Sequence, residues 1–190
     1  AGVSGNGQEE LCEVVCGALP VTSGKVLLNG IDITSTSIRE RIDQGIGYVP
    51  VDRYRDAMVG EMTLAENMML KTSFDKKWIS HGFLNKKKLQ NDTQNAINEF
   101  DIKAPGPDAQ IKGLSGGNQQ KVILAREVGN AGKVLIMDQP TRGLDLGAIN
   151  NIHNNILAER KNGKGILLVS TELSEIFQPV SYTHLTLPTT

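Results

Sequence analysis

The sequence predicts an α/β fold, in which helices alternate with the strands of a parallel sheet. Short continuous apolar runs, which are typical of strands buried on both faces, occur at Ile46–Val49, Lys133–Met137 and Gly165–Ser170. Helix-compatible segments separate these runs, as the connections of a parallel sheet require. The stretch Gly60–Lys112 contains two helical patterns, so it indicates a helical insertion into the sheet.

Local signals define the elements before this insertion. A helical pattern over Gln8–Gly17 stops at its glycine. Asn29-Gly30 is a tight-turn dipeptide between two short apolar runs, Lys25–Leu28 and Ile31–Ile33, and therefore predicts a hairpin. Ser37–Gln44 is expected to form a short polar helix.

Capping and breaking residues define the elements of the insertion and of the region after it. Thr63 and Glu66 form a capping-box pattern at the start of a helix expected over Thr63–Leu70. A basic, irregular link separates it from a second helix, expected over Lys86–Phe100. After the break at Pro105-Gly106-Pro107, the expected helices are Gly116–Gly129 and Leu146–Lys161.

Composition excludes several classes of protein. The 190 residues carry 20 Lys and Arg against 21 Asp and Glu, and this balance removes the electrostatic argument for nucleic-acid binding. The 2 cysteines are too few for a disulfide framework. No apolar run approaches the length of a membrane span, and no signal-peptide pattern is present. We expect a soluble cytosolic fragment cut at both ends, since the chain opens mid-motif at Ala1-Gly2.

The last residues continue no pattern of the preceding chain. Val180–Thr189 is identical to one reading frame of a common transposon-based sequencing adaptor, and the adaptor bases before that frame complete the codon of Pro179. We therefore expect Pro179–Thr190 to be an adaptor-derived scar and exclude it from the predicted fold.

The segment Leu114–Gln120 is a candidate phosphate-binding site. Gly116 and Gly117 allow close approach of the backbone, and Ser115 can cap the helix that follows. The free N–H groups and partial positive charge of a helix N-terminus suit an anion. Taken alone, the segment is equally well explained by helix capping.

A carboxylate, Asp138, ends the apolar strand that follows, where it can hold a hydrated Mg²⁺ at the edge of a sheet. In order and spacing, LSGGNQQ, VLIMD and TRGLD resemble the signature motif, Walker B strand and D-loop of ABC ATPases. The resemblance covers residues 1–178. It implies a P-loop NTPase (RecA-like) core with a parallel sheet and an inserted helical subdomain, truncated at both ends, that uses ATP and Mg²⁺.

The resemblance also implies a division of the chain. Residues 1–59 would form the first part of the ATP-binding core, with the P-loop and Q-loop regions. Residues 60–113 would be the helical subdomain, residues 114–178 the signature, Walker B, D-loop and switch part of the core, and residues 179–190 the scar.

The P-loop position departs from the family pattern GxxxxGK[ST]. Gln8 stands where Lys belongs and cannot neutralise the β- and γ-phosphates. Glu9 places a carboxylate where a hydroxyl should meet Mg²⁺. The loop amides could still bind nucleotide, and the residues that the resemblance assigns to this degenerate site are Gly2, Gly5, Asn6, Gly7, Gln8 and Glu9.

The catalytic positions have changed as well. Gln139 replaces the glutamate that serves as general base, and loss of such a base costs roughly 10²–10⁴-fold in rate. Thr171 stands at the position of the switch histidine, and Val51 at that of the Q-loop glutamine. Asp138 keeps its place as the carboxylate that would hold Mg²⁺ through water. We expect that this chain alone does not hydrolyse ATP.

The signature, by contrast, is complete. ABC ATPases close as head-to-tail pairs, so the resemblance implies that the signature serves a γ-phosphate held by the P-loop of a partner. The residues that it assigns to this role are Leu114, Ser115, Gly116, Gly117 and Gln119, together with Asp145 of the D-loop.

A degenerate P-loop with a complete signature resembles the C-terminal half of two-cassette importer ATPases for sugars and nucleosides. The segments Gly82–Lys88, Asn118–Glu127 and Asp138-Gln139-Pro140 favour the nucleoside branch. The partners implied are an N-terminal ATP-binding cassette of the same protein, permease subunits that contact the helical subdomain and, indirectly, a solute-binding protein, with no nucleic acid. The location implied is the cytoplasmic face of a bacterial membrane.

Two alternatives stay open. A regulatory pseudo-ATPase subunit would differ only in lacking a competent partner half. An ABC ATPase acting on DNA or ribosomes is a further class, although the insertion is short and lacks the heptads of a coiled coil.

Several single features predict only structural roles. Cys12 and Cys16 share a helix face and are expected to be packed, without metal. His81 and His153 are expected at the surface or an interface, and Lys86–Lys88 as a solvated helix face. Trp78 either packs on the subdomain or contacts a membrane partner.

Overall fold

A parallel sheet forms the centre of the molecule, as the sequence predicts. The computed structural model describes residues 6–80 and 82–172. In this part of the chain the strands β3 (Ile46–Val49), β6 (Val134–Asp138) and β7 (Gly165–Val169) pair in the order β3-β6-β7. Ile46 pairs with Val134, and Asp138 pairs with Val169, so the carboxyl ends of the strands meet at one edge.

Successive side chains of the central strand β6 serve two apolar cores on opposite faces of the sheet. Leu135 and Met137 belong to the larger core, with residues of α6 (Gly116–Asn130) and α7 (Leu146–Lys161). Ile136 belongs to the smaller core, beneath α1 (Gln8–Cys16). This alternation is the period-2 pattern of a strand buried on both faces.

The smaller core is closed by a hairpin and a short helix. The predicted hairpin is confirmed, with strands β1 (Leu27–Leu28) and β2 (Ile31–Asp32). Asn29 and Gly30 join them with φ of 52° and 80°, the two positive values that a type I′ turn requires. Helix α2 (Ile38–Asp43) then follows, with Ser37 as its N-cap.

Arg41 of α2 links α1 and the hairpin through hydrogen bonds. Its side chain is buried, and its guanidinium donates hydrogen bonds to the carbonyl oxygens of Val14, Val15, Ile33 and Thr34 at 2.6–3.0 Å. The end of α1 and the end of the hairpin are thereby held by one cation. Cys12 and Cys16 are buried free thiols, as expected.

The region between the core strands and α6 is more structured than the sequence predicts. Helix α4 (Leu64–Met69) begins with the predicted capping box, and α5 (Lys86–Glu99) lies where it was expected. The link between them is not irregular, and that prediction was wrong. It contains two 3₁₀ turns, Leu70–Thr72 and Lys76–Trp78, and a second hairpin formed by β4 (Ile79–Ser80) and β5 (Phe83–Leu84).

Trp78 explains why this link is ordered. The ring is buried against Ala65 and Leu89, and its Nε1 donates to Thr72 Oγ1 at 3.0 Å. Of the two expected roles, it therefore takes packing on the subdomain. Helix α3 (Arg53–Asp56), which was not predicted, follows β3 and is capped by Asp52. His81 and the expected scar at Pro179–Thr190 lie outside the described residues.

Candidate nucleotide and signature site

Asp138 is the last residue of β6 and lies at the carboxyl edge of the sheet. Its side chain is only 1% exposed, and its Oδ1 has no hydrogen-bond partner within the described part of the chain. Burial raises the pKa of this carboxyl to about 6, and the nearby charges of Glu9 and Glu13 add to the rise, whereas Arg142 opposes it. A buried carboxylate oxygen at this position can be satisfied by a proton, a cation or a bound water.

The residues present fit a hydrated Mg²⁺ at Asp138. A carboxylate oxygen is the kind of ligand that Mg²⁺ prefers, and Mg²⁺ keeps several waters in such sites. No group of three or more His, Cys, Asp or Glu residues that could hold a metal occurs among the described residues. The remaining ligands would therefore come from water and from phosphate oxygens.

The degenerate P-loop residues at the start of α1 make local contacts. Gly7, with φ of 88°, is the N-cap residue of α1, and Gln8 Oε1 accepts a hydrogen bond from the backbone N–H of Asn6 at 3.0 Å. Glu9 forms an ion pair with Arg55 of α3 at 3.1 Å. The carboxylate that replaces Ser or Thr is thus engaged by a neighbouring helix. Gly2 and Gly5 lie outside the described residues.

Gln139 and Thr171, the predicted base and switch positions, line one cavity. Gln139 has a left-handed backbone with φ of 46°, and its N–H donates to the carbonyl oxygen of Val169 at 2.7 Å. The cavity measures about 430 Å³ and is lined, among others, by Gln139, Thr141, Arg142, Leu146, His153 and Thr171. The residue that follows Asp138, where the general base would stand, is therefore an amide on the cavity wall.

His153 was expected at the surface or an interface, and in this chain it is not at the surface. The ring is only 5% exposed and lies on α7, at the back of the same cavity. The neighbouring sequence, with Ile149 and Ile152, could have indicated a buried helix face.

The signature forms the N-terminus of α6. Ser115 is the N-cap residue, and its Oγ accepts hydrogen bonds from the Asn118 backbone N–H at 3.5 Å and from Asn118 Nδ2 at 2.9 Å. Gln119 is only 3% exposed, and its Nε2 donates to the carbonyl oxygens of Ile111 and Leu114 at 3.3 and 3.1 Å. The Gln119 side chain therefore holds the preceding turn in place, while Ser115 is exposed.

Side chains from α3 and α7 pack closely against the two signature glycines. A Cβ on Gly116 would lie 2.8 Å from Nη2 of Arg53, and a Cβ on Gly117 would lie 3.0 Å from Cβ of Ala148. Ala148 is in the first turn of α7, where Asp145 Oδ1 accepts its N–H at 2.9 Å. The signature, the D-loop and α3 therefore meet at one point.

Arg53 was not predicted to belong to this site. Its guanidinium lies against Gly116 and over the ring of Tyr54, with its charged carbon 5.0 Å from the ring centre. Its Nε is buried and has no hydrogen-bond partner among the described residues. The dipeptide Asp52-Arg53, with an N-cap residue before a cation, is a weak sequence indication of a helix start here.

A buried charge cluster surrounds Glu127, near the C-terminal end of the signature helix α6. Glu127 of α6 is fully buried and accepts hydrogen bonds from Lys71 Nζ at 2.8 Å, Arg126 Nε at 2.9 Å and the backbone N–H of Tyr48 at 3.1 Å. Burial alone would raise the pKa of Glu127, but attraction to Lys71 and Arg126 and these hydrogen bonds hold it below its ordinary value. Strand β3, the insertion and the signature helix are joined through this one carboxylate.

A parallel α/β sheet with an acidic residue at the end of its central strand, and a helix with a glycine N-cap packed on that strand, is the arrangement of nucleotide-binding domains of the P-loop class. The chain matches the family model described as ABC transporter over residues 1–142, and it belongs to this family.

Several curated proteins that are named as import ATP-binding proteins are similar to this chain in sequence. The chain is 44% identical over 176 residues to the nucleoside import ATP-binding protein NupA of Lactococcus lactis subsp. cremoris, covering 93% of this chain and 35% of that protein. It is 40% identical over 176 residues to the guanosine import ATP-binding protein NupO of Bacillus subtilis, covering 93% of this chain and 34% of that protein. A ribose import ATP-binding protein RbsA of Streptococcus agalactiae is 40% identical, with 93% and 35% covered. The chain thus spans about a third of the length of the curated relatives it matches.

Solved structures show the same fold. A dimeric structure of the ATP-binding cassette MJ0796, in a post-hydrolysis state bound to ADP and Pi, has a TM-score of 0.75 at 21% identity, covering 92% of this chain and 74% of that one. Another dimeric structure of MJ0796 gives a TM-score of 0.76 at 20% identity, with 93% and 75% covered. Within the described residues, none of the helices is both long and apolar enough to cross a membrane.

Proposed function

We propose that this chain is an ATP-binding, energy-coupling half of a bacterial ABC importer for nucleosides or simple sugars, and that it supplies its signature to a partner cassette. The contrast between two sites supports this proposal most strongly. The signature has its cap, its glycines and its supporting glutamine, whereas the chain's own nucleotide site lacks the charges that hydrolysis needs.

The chain's own site retains a place for a nucleotide but not the means to hydrolyse it. Gln8 has no charge to oppose the γ-phosphate, and Glu9 is paired with Arg55. Gln139 cannot accept the proton of an attacking water. ATP would contact the loop amides near Asn6 and Gly7, and Mg²⁺ at Asp138 would supply charge neutralisation when bound.

The signature suits a phosphate that approaches from outside the chain. Ser115 is exposed at the N-terminus of α6, a helix of 15 residues whose dipole and free N–H groups favour an anion. Gly116 and Gly117 keep the backbone open at this end. The dimeric cassettes of the same fold provide the arrangement in which a second cassette would bring its nucleotide here.

The names of the relatives favour an imported nucleoside or sugar. A nucleoside importer component shows 44% identity, a guanosine importer component 40%, and a ribose importer component 40%. We therefore place the chain at the cytoplasmic face of the membrane, with permease subunits and, indirectly, a solute-binding protein as partners. The partner cassette is expected to precede this chain in the same protein.

The test compares the two sites in the full-length gene product, reconstituted with its permease. Ser115→Arg places a bulky cation at the exposed signature and should lower the ATPase rate by roughly 10³-fold, while nucleotide affinity at the partner P-loop changes little. Gln8→Ala is the control at the silent site and should leave the rate within about twofold. Ser115 is the better position for this test than Gly117, because any side chain at Gly117 meets Ala148.

Two results would contradict the proposal. Turnover at the wild-type rate in the Ser115→Arg protein would show that the signature does not act in catalysis. Loss of turnover in the Gln8→Ala protein would show that the degenerate site is the active one. If the gene encodes no cassette with GxxxxGK[ST], a regulatory pseudo-ATPase subunit becomes the better assignment.

A further inference from the structure

The second hairpin and its flanks form a surface that the nucleotide chemistry does not use. This surface, residues 74–80 and 82–88, is called the basic hairpin below. It contains 5 lysines and a single acidic residue, Asp75, in a chain whose net charge is −1. The remainder of the chain therefore carries a net negative charge, whereas this segment carries a net positive charge.

Two aromatic side chains of the basic hairpin are almost fully exposed. Phe74 is 85% and Phe83 is 79% exposed, and Ile79 and Leu84 of the paired strands are exposed as well. Ile79 and Leu84 pair across the strands and share one face of the hairpin, whereas Phe83 pairs with Ser80 on the other face. Single exposed apolar residues are common in proteins, but apolar side chains exposed on both faces of one short hairpin mark an interaction surface.

Pairing of the strands brings the lysines together. Ile79 pairs with Leu84, and the Asn85 N–H donates to the carbonyl oxygen of Trp78 at 2.7 Å, so the residues before β4 and after β5 lie side by side. Lys76 and Lys77 come before β4, and Lys86–Lys88 come after β5. The buried ring of Trp78 anchors the first strand of the hairpin to the subdomain.

Carboxylates offset part of this charge, and Glu66 lies within electrostatic range of Lys86. Lys77 lies 3.9 Å from Asp75 and Lys88 lies 3.0 Å from Asp92. Lys76, Lys86 and Lys87 are exposed and form no ion pair with any residue in the described ranges 6–80 and 82–172.

We propose that the basic hairpin binds the anionic phospholipid surface of the membrane. Lysines at a membrane surface are attracted to the negative potential of the cytoplasmic leaflet, and exposed aromatic and aliphatic side chains enter the boundary between headgroups and acyl chains. The hairpin combines both features on an anchored element, without a spanning helix.

Charge complementarity favours lipid over the permease as the partner of this surface. Cytoplasmic loops of membrane proteins carry an excess of Lys and Arg, so they would repel a surface that is itself basic. The inference depends on the proposed function only for the location of the chain at the membrane. The vesicle experiment needs neither permease nor nucleotide, so its failure would leave the ATPase assignment intact.

The experiment measures sedimentation of the full-length gene product with vesicles of phosphatidylcholine, with or without phosphatidylglycerol. The triple variant Lys76→Gln, Lys86→Gln, Lys87→Gln should bind anionic vesicles about 100-fold more weakly, at roughly fivefold per lysine. The matched control, Lys103→Gln, Lys133→Gln, Lys161→Gln, removes the same charge from exposed positions outside the hairpin and should stay within about twofold of wild type.

A second pair of variants tests the apolar contribution. Phe74→Ser with Phe83→Ser should weaken binding to anionic vesicles by at least about tenfold. Leu27→Ser with Ile31→Ser removes exposed apolar side chains from the other hairpin and should change binding little. An increase of NaCl from about 50 mM to about 500 mM, which shortens the Debye length to roughly a third, should release the wild-type protein. Unchanged melting temperature and ATPase rate establish that the variants are folded.

Three outcomes would overturn the inference. The first is wild-type protein that does not sediment with anionic vesicles, or that binds uncharged vesicles equally well. The second is an equal loss in the hairpin variants and their matched controls. The third is a hairpin variant that keeps vesicle binding but no longer co-purifies with the permease, since that result would assign the surface to a protein contact.

Discussion

Replacing Asp138 by asparagine should stabilise the chain near neutral pH in the absence of divalent metal. The carboxyl is buried and its pKa is raised from 3.8 to about 6, mainly by loss of hydration and then by repulsion from Glu9 and Glu13. Because one pKa unit corresponds to about 1.4 kcal/mol, keeping this group ionised at about pH 7 costs the folded state up to about 3 kcal/mol. The asparagine side chain has nearly the same shape and carries no charge.

The effect has a defined dependence on pH. A group whose folded pKa is raised contributes stability that is fully present below its unfolded pKa, near 3.8, and is lost as pH rises through the folded value of about 6. The wild-type chain should therefore lose stability relative to Asp138→Asn between these pH values. Above them the difference should be constant.

Urea unfolding followed by circular dichroism measures this difference, with EDTA present at each pH. The expected gain for Asp138→Asn at about pH 7.5 is between about 1 and 3 kcal/mol, and close to zero near pH 4. Asp145→Asn is the control, since it makes the same chemical change at an exposed N-cap carboxylate. The reasoning is refuted if Asp138→Asn is no more stable than wild type at neutral pH and if the stability of the two proteins depends on pH in the same way.

Three further predictions test the packing around the site. Gly116→Ala should destabilise the chain by no more than about 1 kcal/mol, because its Cβ meets the flexible end of the Arg53 side chain, and a double-mutant cycle with Arg53→Ala, measured by urea unfolding, should give a coupling energy of at least roughly 0.5 kcal/mol. Glu127→Gln should destabilise the chain by about 3–5 kcal/mol at neutral pH, and this difference should shrink on acidification through the depressed pKa of Glu127, which thermal melts at several pH values would detect. Gly47→Ala should lower stability by about 1–3 kcal/mol because its Cβ would lie 2.8 Å from that of Ala131, and an unchanged melting temperature would contradict this.

The fold could be predicted from the sequence because its signals are short-range. Strand β3 occupies the predicted residues, Ile46–Val49, and helix α7 has the predicted bounds, Leu146–Lys161. The Thr63–Glu66 capping box and the Asn29-Gly30 turn depend only on neighbouring residues, so a single sequence contains all the necessary information.

The contacts that were missed join residues far apart in the chain. The pairing of Glu127 with Lys71 and the approach of Arg53 to Gly116 depend on how β3, the insertion and α6 pack, and no local pattern encodes that packing. The β4–β5 hairpin was missed for another reason. Its strands have only two residues each, too few to show alternation, and the buried Trp78 provides the stabilisation that these strands lack.

The two phosphate sites that we propose for this chain depend on different kinds of support, and this difference would explain how one can change while the other remains. The signature relies on backbone N–H groups at a helix end, held by Gln119 and by packing of Gly117 on Ala148. The nucleotide site relies on charged side chains at its rim, and substitutions there leave the end of α6 untouched.

One residue of the proposed degenerate nucleotide site also contacts α3. Glu9 is paired with Arg55, and Arg53 on the same helix α3 lies against the signature. Restoring Ser or Thr at position 9 would therefore remove an ion pair of α3, and it would still leave Gln8 and Gln139 without the charge and the base that hydrolysis requires. Single reversions should consequently fail to restore ATP hydrolysis, because the phosphate clamp and the base act as a unit whose members are not additive.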